Sequence, residues 1–138
     1  MFPGWAHLIV RELFRDNAAR GLLDQGVADP LVAELLALIS THLDRPLTLE
    51  YLAGRAGFSP QHLNRVFQRT LGTTPLKYLA QLRMDRAAGM LAEGSLTIAQ
   101  VARRVGYRDP EYFARHFRRA TGATPSAWRQ RAGSERLV

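Results

Sequence analysis

A chain of 138 residues suffices for one core of ordinary size, or for two small helical units sharing a connector. With 46% hydrophobic and 22% charged residues it reads as globular and water-soluble, and apolar stretches such as Leu35-Leu36-Ala37-Leu38-Ile39 are far too short to span a bilayer. The absence of cysteine excludes disulfides, thiolate nucleophiles and cysteine-ligated zinc, and it suits a cytoplasmic setting. The net charge of +7 is unevenly placed: residues 1–30 carry three Arg against four acids, whereas the remainder carries sixteen bases against eight acids. Eighteen of the nineteen bases are Arg, the side chain suited to forked contacts with phosphates and guanine edges.

The N-terminal stretch MFPGWAHLIVRELF lacks a basic run before its apolar residues and meets Glu12 early, so it does not read as a secretory leader. Residues 5–20 are expected to form a helix with Trp5, Leu8, Ile9 and Leu13 on one side, which RGLLDQGVADP (20–30) then breaks. From Leu31 to Leu43, the positions Leu31, Leu35, Leu38, Ile39 and His42 follow helical spacing, and Asp44-Arg45-Pro46 ends the element. A succession of helix starts follows at Thr48, Ser59, Thr74, Thr97, Asp109 and Thr124. Each offers a short oxygen side chain to the first orphan amides, and four of them precede a Pro suited to the first helical position. Thr97 with Gln100 has the spacing of a capping box. Gly57, Gly72, Gly94, Gly106 and Gly122 sit where a left-handed residue closes a helix. No alternating strand pattern appears. The expectation is an all-α chain with about seven helices after residue 30 and one before it.

The chain also repeats itself. Leu47-Thr48-Leu49 matches Leu96-Thr97-Ile98, and Gly57-Phe58 matches Gly106-Tyr107, at a separation of 49. One residue is then gained, and Pro60, Arg65, Phe67, Arg69, Gly72, Thr74 and Pro75 match Pro110, Arg115, Phe117, Arg119, Gly122, Thr124 and Pro125 at a separation of 50. Two copies are too few for a solenoid, so this is a duplicated supersecondary unit. Each copy is a short helix (48–55; 97–104), a tight Gly turn and a longer helix (60–71; 110–121), which describes a helix-turn-helix.

Within each longer helix the apolar residues share one face: Leu63, Val66 and Phe67 in the first, Phe113 and Phe117 in the second. The opposite faces carry Gln61, Asn64, Arg65, Gln68 and Arg69, then Glu111, Tyr112, Arg115, Arg118 and Arg119. Gln, Asn and Arg near a helix N-terminus make bidentate contacts with adenine or guanine edges in the major groove. Between the copies, PLKYLAQLRMDRAAGMLAEG predicts a helix of about eighteen residues, about 27 Å long at the usual rise. That length is compatible with two recognition helices in major-groove turns about 34 Å apart on one duplex.

These residues resemble the AraC/XylS-type transcription regulators. In the second copy Gly106-Tyr107, Asp109, Phe113, Arg115, Phe117-Arg118, Gly122, Pro125 and Arg129 fall in that family's signature order, and Arg83, Ala87 and Met90-Leu91 match its linker. Glu111 stands where Ser is frequent, and Trp128 where Tyr is frequent. The resemblance covers roughly residues 31–132. It implies a bacterial DNA-binding domain with two helix-turn-helix subdomains joined by a long linker helix, homeodomain-like and bipartite. Unit one spans about 31–73, the linker about 75–93 and unit two about 96–132. Residues 133–138 are expected as a tail. Residues 1–30 are then either an N-terminal extension or the remnant of a sensor and dimerisation domain.

Helix face and resemblance together nominate Gln61, Asn64, Arg65, Glu111, Tyr112 and Arg115 for base contacts, Glu111 as an acceptor from cytosine N4. Ser59, Arg69, Arg108, Arg118 and Arg119 are nominated for phosphates. The first copy, with Gln61, Asn64 and Arg65, is expected to carry most of the sequence specificity, and the Arg-rich second more of the grip. Phe58, Phe67, Tyr107, Phe117 and Trp128 read as packing residues. The implied partners are double-stranded DNA and RNA polymerase, with a second copy of the chain met through the N-terminal segment or a sensor domain. No membrane, metal or cofactor is called for. The four His show no metal spacing, and no nucleophile–base arrangement or phosphate-binding Gly loop points to catalysis. The expected function is sequence-specific regulation of transcription, as an activator, from the cytoplasm and its nucleoid. The alternative is a basic helical module that binds an acidic protein partner or RNA.

Overall fold

The computed structural model describes residues 30–136. The helix expected over 5–20 lies outside the described residues. Seven helices are present among them: α1 (Pro30–Thr41), α2 (Leu49–Ala56), α3 (Pro60–Leu71), α4 (Pro75–Glu93), α5 (Ile98–Arg104), α6 (Pro110–Thr121) and α7 (Pro125–Arg136). The fold is all-α, as the spacing predicts. The last helix runs further than expected, so residues 133–136 continue α7 rather than trailing from it.

The helix boundaries follow the capping chemistry. Thr48 Oγ1 accepts from the Tyr51 amide at 3.1 Å, and Ser59 Oγ from the His62 amide at 3.1 Å. At Thr97 the capping box is complete: Thr97 Oγ1 accepts from the Gln100 amide at 3.1 Å while Gln100 Oε1 accepts from the Thr97 amide at 2.8 Å. The two helix-turn-helix corners share one closure. After α2, Gly57 takes φ 72°, its amide donates to Gly54 O at 3.3 Å, and the Phe58 amide donates to Ala53 O at 2.9 Å. After α5, Gly106 takes φ 93°, with Gly106 N–H to Arg103 O at 3.1 Å and Tyr107 N–H to Ala102 O at 2.8 Å. This pair of bonds is the Schellman closure, and its left-handed residue favours Gly. The aromatic after each Gly is thereby turned back onto its own unit.

The chain divides into two compact units, which among the described residues are 30–82 and 83–136, with α4 continuing from one into the other. In the N-terminal unit, Val32, Ile39, Leu52, Leu63, Phe67, Tyr78 and Leu82 are almost fully buried. Phe67 meets Tyr78 edge-on, with ring centroids 6.5 Å apart. In the C-terminal unit Ala87, Leu91, Val101, Val105, Phe113 and Phe117 fill the corresponding core. There Trp128 stands edge-on to Phe117 at 5.7 Å and donates its indole N–H to Ala88 O at 3.1 Å. Arg129 donates its Nε–H to Leu91 O at 3.2 Å and a terminal N–H to Leu96 O. These bonds tie α7 to the last turns of α4 and to the segment after it, and the one to Leu91 O satisfies a carbonyl that the helix end leaves open.

Candidate nucleic-acid interface

The outer face of α3 is set by what its inner face buries. With Leu63, Val66 and Phe67 turned into the core, helical geometry sends Gln61, Arg65 and Gln68 the opposite way, and all three are exposed. Asn64 flanks this row and is half-buried, and Arg69 flanks its other side, exposed, in the last turn. The structure therefore brings Gln61, Asn64 and Arg65 together on one face. Ser59 caps the helix: its oxygen is engaged by the His62 amide, which leaves its O–H free to donate to a phosphate. His62 packs against Phe58, ring centroids 4.6 Å apart. Gln68 was absent from the nominated set, although its place seven residues after Gln61 puts it in the middle of that face.

On α6 the same logic applies with a different inventory. Phe113 and Phe117 are buried, and Glu111, Arg115, Arg118 and Arg119 are exposed. Asp109 caps the helix by accepting from the Glu111 amide at 3.0 Å. Arg118 occupies the position equivalent to Gln68, so it shares the central row with Glu111 and Arg115 rather than standing at its margin. Arg108 is exposed in the turn before α6.

Tyr112 is 46% exposed and belongs to an aromatic stack whose Tyr107 member helical spacing does not reveal. Its ring lies 4.3 Å from that of His116 and 5.8 Å from that of Tyr107. Tyr107 Oη and His116 Nδ1 share a hydrogen bond of 3.1 Å. The guanidinium of Arg83 lies 5.8 Å from the Tyr107 ring centre, and that of Arg115 lies 5.9 Å from the Tyr112 ring centre. Both are within cation–π range. Burial pushes the Tyr107 hydroxyl pKa up, partly opposed by Arg83. Burial, with the nearby charges of Arg119 and Arg115, holds the His116 imidazole below the usual histidine range.

The electrostatics differ between the units. Residues 30–82 hold five bases against three acids, and residues 83–136 hold eleven against five. Phe67 and Phe117 are fully buried, and Tyr107 is nearly so, which commits them to packing rather than to stacking on bases. Among the described residues no group of three or more His, Asp or Glu could hold a metal ion. No helix among them is long and apolar enough to cross a membrane.

Residues 52–131, from α2 into α7, match the family model of a helix-turn-helix domain. This chain belongs to the AraC-type helix-turn-helix family. It is 36% identical over 100 residues to the transcriptional activator RhaR of Cronobacter sakazakii, covering 72% of this chain and 35% of that one. It is also 36% identical over 105 residues to a putative AraC-like transcription regulator of Streptomyces lividans, covering 76% of this chain and 34% of that one. The chain thus spans about a third of the length of these curated relatives.

Solved structures agree with the fold. The C-terminal domain of AraT, a response regulator from Geobacillus stearothermophilus, aligns with TM-score 0.71 at 34% identity over 74% of this chain and 85% of that one. The DNA-binding domain of AdpA, a global transcriptional factor solved in complex with a target DNA, aligns with TM-score 0.74 at 34% identity. That match covers 80% of this chain and 98% of the AdpA domain.

Proposed function

We propose that this AraC-type chain is a sequence-specific, double-stranded-DNA-binding regulator of transcription that acts as an activator and sets α3 and α6 into neighbouring major-groove turns of one duplex. The observation that carries the reading is the repeated outer face. Both long helices bury an apolar side and expose polar and cationic side chains from their first turn onward. The N-terminal residues of such a helix are the ones that reach base edges. The AdpA domain, which shares the fold, was solved on its target DNA. The activator role is supported by the name of RhaR.

In this reading Gln61, Asn64 and Arg65 contact bases in the first half-site and Glu111, Tyr112 and Arg115 in the second. Ser59, Arg69, Arg108 and Arg119 engage phosphates, aided by the amides at the helix starts, whereas Arg118, nominated for phosphates, shares the central row of α6 with Glu111 and Arg115 and faces base edges instead. The α4 helix is 19 residues long, about 28 Å at the usual rise. RNA polymerase and a second copy of the chain are the further partners, and the nucleoid is the place of action.

Selection from a random-duplex pool tests the reading. The expected result is an enriched motif with two half-sites about one helical turn apart. Salt-dependent binding without any enriched motif would instead describe a basic module for RNA or an acidic protein, since charge alone gives that dependence.

A further inference from the structure

We propose that the second helix-turn-helix reads a pyrimidine methyl next to a guanine, with Tyr112 and Arg115 acting as one stacked pair. The inference rests on the DNA-binding reading above and specifies the chemistry that its second half-site must present.

The geometry is a layered stack that runs outward from the interior of the unit. Tyr107 is 7% exposed, with the Arg83 guanidinium 5.8 Å from its ring centre. Its hydroxyl holds His116 at 3.1 Å. The His116 ring backs Tyr112 at 4.3 Å, and Arg115 lies 5.9 Å from the Tyr112 ring centre. Tyr112 is therefore backed by His116 and stays 46% exposed. It sits in the first turn of α6, where recognition helices meet base edges.

An exposed Arg usually gives up much rotamer freedom when it binds. A guanidinium resting against an aromatic ring has already given up part of it, and its planar fork remains available for guanine O6 and N7. The apolar edge of the ring beside it offers what a 5-methyl group of the neighbouring base pair needs, a dry carbon surface. In the first copy His62 and Arg65 occupy the positions of Tyr112 and Arg115, and Val66 that of His116, so the Arg recurs but the aromatic stack that backs it is particular to α6.

The test uses the duplex selected from the random pool, synthesised with thymine, uracil, cytosine or 5-methylcytosine at the pyrimidine beside the second-half-site guanine. Removing the methyl by placing uracil for thymine should weaken binding about fourfold, the factor that one buried methyl gives. 5-Methylcytosine should bind more tightly than cytosine by a similar factor. Tyr112→Ala should erase both differences, and Tyr112→Phe should keep them. Because the first comparison changes only the DNA, no folding defect can imitate it. Equal binding to thymine and uracil on a site that retains the guanine would overturn the stacked-pair reading and leave the regulator reading intact. A selected motif without a second-half-site guanine would overturn it too, and no motif at all would remove both.

Discussion

Arg65 and Arg69 stand four residues apart on α3, both exposed, and the proposed DNA-binding reading gives them different work. Arg65 lies in the central row with Gln61 and Gln68, aimed where base edges would be. Arg65→Ala is expected to cost about 1–3 kcal/mol on the selected site and to relax preference at one base pair. Arg69 lies at the margin, so Arg69→Ala should weaken selected and random duplex alike and lower the salt slope by about one. Titrations of both variants on both duplexes at several salt concentrations check this; equal behaviour of the two variants would contradict the division of roles.

His116 carries the pH dependence visible at the residue scale. It faces Tyr107, Tyr112, Arg115 and Arg119, and its folded pKa lies below the ordinary histidine value. A lowered folded pKa means that the folded chain prefers the neutral ring. Its contribution to stability is therefore full above about pH 6.5 and is lost as pH falls below that value. Urea midpoints should fall between pH 7.5 and 5.5 in the parent and fall less in His116→Val, which installs the residue found at the equivalent position of the first copy. An unchanged slope in the variant would contradict this assignment. The outer faces of α3 and α6 were legible because apolar spacing fixes the inner face and leaves the rest outward. The contacts of Tyr112 with Arg115 and His116 follow i,i+3 and i,i+4 spacing, but the Tyr107 side of the stack was hidden, because it depends on how Tyr107 is turned after Gly106, which helical periodicity does not encode.

At the scale of the element, helix starts and stops were the most legible feature. The five Gly residues expected to end helices all have positive φ, and the Ser, Thr and Asp residues nominated as caps at 48, 59, 97 and 109 each accept the expected amide. Local side-chain chemistry decides these points, so a single sequence suffices. At Gly57, a Cβ would meet no atom within 4 Å, so only the left-handed backbone resists substitution. Gly57→Ala should thus destabilise by about 1–2 kcal/mol without disturbing the core, as read by urea unfolding with unchanged m-value. A much larger loss would mean that the corner is crowded. The bonds from Trp128 and Arg129 to carbonyls on and beyond α4 were hidden, because they link residues 33 to 40 apart. The signature position Arg129 thereby gains a physical meaning, as a clamp on a helix end rather than a cation free for phosphate.

For the whole molecule, the repeat predicts two units of similar build, and the structure contains them, each with its own core. What distinguishes them is chemistry: the C-terminal unit concentrates positive charge and aromatic stacking, and the N-terminal unit presents the amide side chains Gln61, Asn64 and Gln68. The first half-site should therefore show the greater information content, with the second contributing more to salt-dependent affinity. The central claim is that one chain reads two places on one duplex, and half-site spacing tests it most directly. Affinity should be measured on the selected duplex and on the same duplex with about five base pairs inserted between the half-sites, which turns one of them to the opposite side of the helix. The account predicts a loss on the order of tenfold or more, as the second contact is forfeited. Unchanged affinity would contradict it.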